Sequence, residues 1–172
     1  MSAYSKFCAL AIVLALWAAV VPARAIEHSD GPVVHFSIPE YKLTQLERET
    51  VAACLVLEAA NQGDVGLRAV MSVIRNRANM RPMLFPLTVL RVKQFSALNP
   101  YTSGQVSLWR LIQRAKQDAT WPNALAIVDE ATCAAWVDRT AGATHYTRTG
   151  ERTAWTRTLH TTARIGDHTY YR

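Results

Sequence analysis

Residues 51–60 read VAACLVLEAA, an apolar run broken by a single charge, Glu58. Just upstream, Thr44-Gln45-Leu46-Glu47 has the form of a capping box, in which the threonine oxygen takes an orphan amide and the glutamate reaches back. Together these predict a helix from Thr44 to about residue 60, stopped by Gly63. A helix this apolar has to be packed inside a core, so the folded domain is expected to begin near Thr44.

Periodicity and punctuation predict the elements that pack around it. Asp64 is expected to cap a second helix over 65–79, with Gly66 and Ala69 leaving a narrow face for another helix. Pro82 and Pro86 mark 80–86 as a loop, and Thr88 is read as the cap of a short turn running into Lys93-Gln94-Phe95-Ser96. A third helix is expected over 104–119, with Val106, Trp109, Ile112 and Ala115 repeating at helical spacing. A fourth, opened by Pro122, is expected to reach about Asp138 with Leu125, Val128, Thr132 and Ala135 inward. After Gly142 helix formers give way to Thr, Tyr, His and Arg, and Gly166-Asp167 between 161–165 and 168–171 is a two-residue hairpin signal. The fold class expected is therefore α+β, a single mainly helical domain with a small C-terminal antiparallel sheet.

With 172 residues, half of them hydrophobic, the chain has enough material for one well-packed core. Lys6, the unbroken apolar run 8–21 and Ala23-Arg24-Ala25 have the layout of a secretory signal peptide over 1–25, the run being too short to span a bilayer. Its removal takes Lys6 and Arg24 and no acid, lowering the formal charge from +6 to +4. Residues 26–43, with Gly31, Pro32 and Pro39, read as an extended lead-in, leaving 44–172 as the folded domain. The mature chain is expected to be exported, a monomer, with no nucleic-acid partner and no membrane contact. Cys54 and Cys133 remain after cleavage, and either one disulfide or two separate buried thiols fits their surroundings.

Glu58 lies in the last turn of the apolar helix. A carboxyl among apolar side chains is desolvated, and the negative end of the helix opposes an anion there; both favour the protonated form that a general acid needs. The alternative is an ion pair with Arg75 or Arg77.

The segments LEAANQGDVGLRAVMSVIRNRA, KQFS at 93–96, GATHYTR at 142–148 and AWTRTLHTTARIGDHTYYR at the terminus occur in an order that resembles the SleB-like cell wall hydrolases, the family of spore-cortex-lytic enzymes. The resemblance covers about residues 45–172. It implies a lysozyme-like domain that cleaves peptidoglycan glycan strands between N-acetylmuramic acid and N-acetylglucosamine. In the family's Glu-Ala-x-Gly-Glu pattern the first glutamate, the catalytic acid, falls on Glu58; the second falls on Gln62, a departure that weakens any case for a second essential carboxylate. Gln94, Phe95 and Ser96 align with the cleft-lining QFS segment, and His145 and Tyr146 with the strand facing the catalytic glutamate.

Glycosidases usually work with two carboxylates, and no motif here supplies the second. Asp64 reads as a helix cap and Glu151 as part of an exposed turn. One carboxylate suffices for a lytic transglycosylase, which protonates the leaving oxygen and then takes the proton from the sugar's own C6 hydroxyl. Gln94, Ser96 and Tyr146 are expected to hold sugar polar groups, with Trp155 or Tyr101 as an apolar platform. The C-terminal arginines (139, 148, 152, 157, 164 and 172) form either a rim attractive to an anionic wall or a solvated face. The alternatives are a hydrolytic muramidase, a zinc amidase or peptidase using His145, His160 and His168 with Glu58, and a non-catalytic wall-binding module. No cofactor or metal is expected, since no compact ligand spacing occurs.

Overall fold

The computed structural model describes residues 41–172; the signal segment and lead-in up to residue 40 lie outside the described residues. Helix α1, Gln45–Ala59, opens on the capping box: Thr44 Oγ1 accepts from the Glu47 amide at 3.3 Å, and Glu47 Oε2 accepts from the Thr44 amide at 2.8 Å. A 3₁₀ turn, Ala60–Gln62, leads into α2, Gly63–Arg77. Then follow α3 (Phe85–Val89), α4 (Asn99–Thr102), α5 (Leu108–Ala115), α6 (Trp121–Ala131) and strands β1 (His145–Arg148), β2 (Thr161–Ile165) and β3 (His168–Tyr171).

The apolar decad is explained by position. α1 packs against α2, α3, α5 and α6, and every residue from Val51 to Leu55 is fully buried. At roughly 1.5–3 kcal/mol for each fully buried Val or Leu, this helix anchors the body. Cys54 is buried and Cys133 exposed, both as free thiols, which decides the cysteine question for two separate groups.

α2 joins the two halves. Leu67, Val70, Met71 and Ile74 face the helical core, while Ala69 and Val73 pack against Ala143 and Tyr170 of the sheet region. The small-residue face expected to receive another helix receives the sheet instead. Strand order is β1-β3-β2, all antiparallel, with Tyr146 opposite Tyr170 and Ile165 opposite His168. Gly166-Asp167 makes the expected hairpin turn, Gly166 taking the left-handed φ of 55° that its lack of a side chain permits.

Several expectations are corrected. Asp64 does not cap α2: it lies in the first turn, accepting from Arg68 Nε at 2.9 Å and Asn123 Nδ2 at 3.1 Å. Thr88 is buried inside α3 rather than capping a turn, because both nearby prolines open helical turns, Pro82 a 3₁₀ turn and Pro86 α3 itself. The third helix starts at Leu108 under a Ser107 cap and buries Leu111, Ile112 and Ala115, leaving Trp109 69 % exposed. A pure three-residue repeat drifts around a 3.6-residue helix, so Val106 and Ala115 never shared a face. α6 ends at Ala131 with Ala124, Ile127, Val128 and Ala131 inward, a face different from the expected Leu125, Val128, Thr132 and Ala135. Arg75 stops it there, its guanidinium donating to the carbonyls of Ala131 (3.2 Å) and Cys133 (3.3 Å).

Candidate active site

Glu58 projects from the last turn of α1 into a cleft of about 690 Å³ between the helical body and the sheet. Its surroundings are polar at the carboxyl end, not apolar as the sequence suggested. Oε1 accepts from the Ala97 amide at 2.7 Å and from Ser96 Oγ at 3.0 Å, and Oε2 accepts from the Tyr146 hydroxyl at 2.9 Å. Neither Arg75 nor Arg77 forms the ion pair considered for it; among the described residues the salt bridges are Arg48–Asp129, Arg68–Asp64, Arg68–Glu130 and Lys116–Glu49.

Each donor has a local cause. Phe95 is extended (φ −133°, ψ 123°) and a 3₁₀ turn, Ser96–Leu98, begins after it, so the Ala97 amide is one of the early donors that such a turn leaves unpaired. With Phe95 extended between two turns, Gln94 and Ser96 line the cleft while Phe95 points into the core. Phe95 is therefore only 2 % exposed and does not line the cleft, a correction to its expected substrate-binding role. It serves as a floor: the Arg77 guanidinium lies 4.9 Å above its ring, and the Tyr146 ring is tilted against it at 6.4 Å.

Tyr146 is held by β1. Its ring meets Tyr170 at 5.7 Å and His168 edge-on at 5.1 Å. Burial first, and then the neighbouring Glu58 charge, push its phenol well above the ordinary range, so it remains a donor. His145 lies beside it with its ring 5.3 Å from Trp155 and Nδ1 3.0 Å from Thr144 Oγ1; burial and Arg77 lower its pKa. Trp155 lines the cleft, whereas Tyr101 packs on the helical core, so only the first is available as a sugar platform.

Three contributors take roles that the sequence did not assign them. Arg77, at the end of α2, donates to the Thr144 carbonyl at 2.6 Å and the Gln94 carbonyl at 3.0 Å, tying both cleft walls to the helix; burial lowers its pKa. A cation in the last turn of an apolar-faced helix was the available signal. His168 also lines the cleft, its pKa lowered by burial against the opposing pull of Glu58. Glu151, expected to be merely an exposed turn residue, lines the same cleft and accepts from the Thr147 hydroxyl. His160 lies apart, its backbone paired with Arg172. Of the C-terminal arginines, Arg148 reaches the cleft, while Arg152, Arg157 and Arg164 surround a neighbouring hollow of about 310 Å³.

Comparison with known proteins adds to this geometry. Residues 61–171 match the family model described as cell wall hydrolase, a span that begins just after Glu58. The chain is similar in structure to the catalytic domain of the germination-specific lytic transglycosylase SleB from Bacillus anthracis, with a TM-score of 0.56 and 20 % identity over 76 % of this chain and 97 % of that one. It is equally similar to the catalytic domain of the Bacillus cereus SleB protein, with a TM-score of 0.56 and 21 % identity over 76 % of this chain and 93 % of that one. At these identities the likeness is one of fold. No curated protein matches.

Proposed function

This chain belongs to the cell wall hydrolase family, and from that premise we propose that it cleaves peptidoglycan glycan strands between N-acetylmuramic acid and N-acetylglucosamine as a lytic transglycosylase, with Glu58 as acid and then base. The observation that carries this reading is one carboxyl held in a sugar-sized cleft by three donors, Ser96 and the Ala97 amide from the turn beside α1 and Tyr146 from the sheet. Protonated Glu58 passes its proton to the glycosidic oxygen as the C1–O4 bond breaks. The resulting carboxylate then takes the C6 hydroxyl proton while O6 closes on C1. The proton has moved from O6 to O4, no water is consumed, and a 1,6-anhydromuramic end remains. Ser96, the Ala97 amide and Tyr146 steady the carboxylate between the two transfers, since charge-assisted hydrogen bonds are the strong ones. Gln94 and His145 offer neutral partners for acetamido and hydroxyl groups.

Residues 44–172 are the catalytic domain on this reading, working as a monomer without a cofactor, and the substrate places it outside the cytoplasm, periplasmic or on the wall. The position of Glu151 favours one other possibility, a hydrolytic muramidase with Glu151 as base or nucleophile. Mass spectrometry of fragments released from purified sacculi separates them. Anhydro ends, unchanged in E151Q apart from rate, are expected; reducing ends that vanish in E151Q would replace transglycosylation with hydrolysis.

A further inference from the structure

Gln62 stands where the family pattern has its second glutamate, and in this structure it is bound twice to the hairpin turn. Gln62 Nε2 donates to Asp167 Oδ2 at 3.0 Å, and the Asp167 amide donates to Gln62 Oε1 at 2.7 Å. Both neighbouring glycines leave space for it. A Cβ built on Gly66 would lie 2.1 Å from Gln62 Cβ, and one built on Gly166 would lie 2.1 Å from Gln62 Oε1. Two glycines, one on α2 and one at the hairpin, thus leave a slot through which a single amide links the end of the α1 region to the turn between β2 and β3.

We propose that Gln62 and Asp167 form a latch that positions the catalytic donor: they are positioning residues that fix the hairpin, and through it Tyr146, against Glu58. The path is short. Asp167 precedes His168, whose ring meets Tyr146 edge-on at 5.1 Å, and Tyr146 donates to Glu58 at 2.9 Å. Glu58 and Gln62 are themselves separated by one turn of chain, so the contacts close into a ring. An amide is needed at position 62 because its two partners have opposite polarity: it must accept from an N–H and donate to a carboxylate. Glutamate would keep the first bond and turn the second into a clash of like charges. The inference rests on the reading of Glu58 as the reacting group.

The test is Q62E, which keeps the shape, with Q62E/D167N as its restoration. Charged or titratable groups sharing the cleft with position 62 are Glu58, Arg77, Lys93, His145, Tyr146, Arg148, Glu151 and His168, and Asp167 is the carboxylate within hydrogen-bonding distance. Two readouts are taken from pH 4 to 8: amide exchange of residues 166–171, corrected for intrinsic rates, and digestion of purified wall relative to wild type. At pH 7, Q62E is expected to exchange about tenfold faster and digest about tenfold more slowly, as loss of a hydrogen bond to a charged partner implies. The thermal midpoint should stay within about 3 °C, since exposed contacts contribute little to global stability. Both deficits should shrink as pH falls through the carboxylate range and a proton restores a donor, and both should disappear in the double variant at pH 7.

Exchange indistinguishable from wild type in Q62E overturns the latch. Faster exchange with undiminished digestion, or a loss of digestion that merely tracks a lower thermal midpoint, overturns the positioning role. If the wild-type protein left the wall intact, the reaction assigned to the cleft would fall, while the exchange measurements would still decide whether the latch exists.

Discussion

The two sides of the cleft are built from different materials. On the helical side, Glu58 stands at the end of a helix whose residues 51–55 are wholly buried, fixed by apolar packing against four neighbouring helices. On the sheet side, Tyr146, His145 and His168 stand on short strands rich in Thr, Tyr and His, fixed by hydrogen bonds and aromatic contacts. Apolar packing is strong but has no direction, whereas hydrogen bonds and ring edges add little net stability yet set angles. The helical side therefore supplies the fold with most of its free energy, and the sheet side sets the geometry around the carboxyl. Damage to the first should appear as unfolding and damage to the second as lost rate.

The largest separation is expected from Leu55→Ala, deep in α1. It should cost about 2–5 kcal/mol by chemical denaturation, as buried leucine truncations do, while the remaining folded fraction keeps its rate at low temperature. Tyr146→Phe is the converse. Removing the donor to Glu58 Oε2 should slow wall digestion roughly 10- to 150-fold, following the 1.5–3 kcal/mol of a hydrogen bond to a charged group, with little change in thermal midpoint. If Tyr146→Phe unfolded the protein while Leu55→Ala lowered only its rate, the division of labour would be reversed.

A smaller effect sharpens the boundary between the two sides. Asp138 Oδ1 accepts from the Thr140 amide and hydroxyl, and Oδ2 from Gly142 N (2.8 Å) and Asn76 Nδ2 (2.9 Å), joining α2 to the approach to β1. Burial pushes its carboxyl upward, but these bonds win and hold it below the ordinary value. A carboxyl depressed in the folded state stabilises above its unfolded pKa of about 3.9, and that stabilisation disappears as pH falls through the folded value. Asp138→Ala should cost about 1–3 kcal/mol at pH 7, and its gap from wild type should narrow as denaturation is repeated toward pH 3. A gap independent of pH would remove Asp138 from this role.

The same contrast governs what could be read from the sequence. Local grammar was legible: the Thr44–Glu47 box, the apolar decad, Pro122 opening α6 and the Gly166-Asp167 turn all depend on neighbours a few residues away. Glu58 was legible because a charge in such a run stands out. What was not legible depends on distant partners. The end of α6 is set by Arg75 from another helix, and Asp64 gave up a cap for Arg68 and Asn123. The inward turn of Phe95 and the Ala97 amide follow from backbone direction, which no residue type announces. Glu151 read as an ordinary turn residue because nothing near it in sequence shows that the turn lines the cleft that holds Glu58.

The most direct test of the account is Glu58→Gln, assayed for folding and for release of fragments from purified sacculi in the same preparation. The substituted amide can still accept from Ser96 and Ala97 through its oxygen, so the thermal midpoint should stay within a few degrees of wild type while digestion falls at least about hundredfold, the scale of a lost general acid. A folded Glu58→Gln protein that digested the wall at the wild-type rate would contradict it.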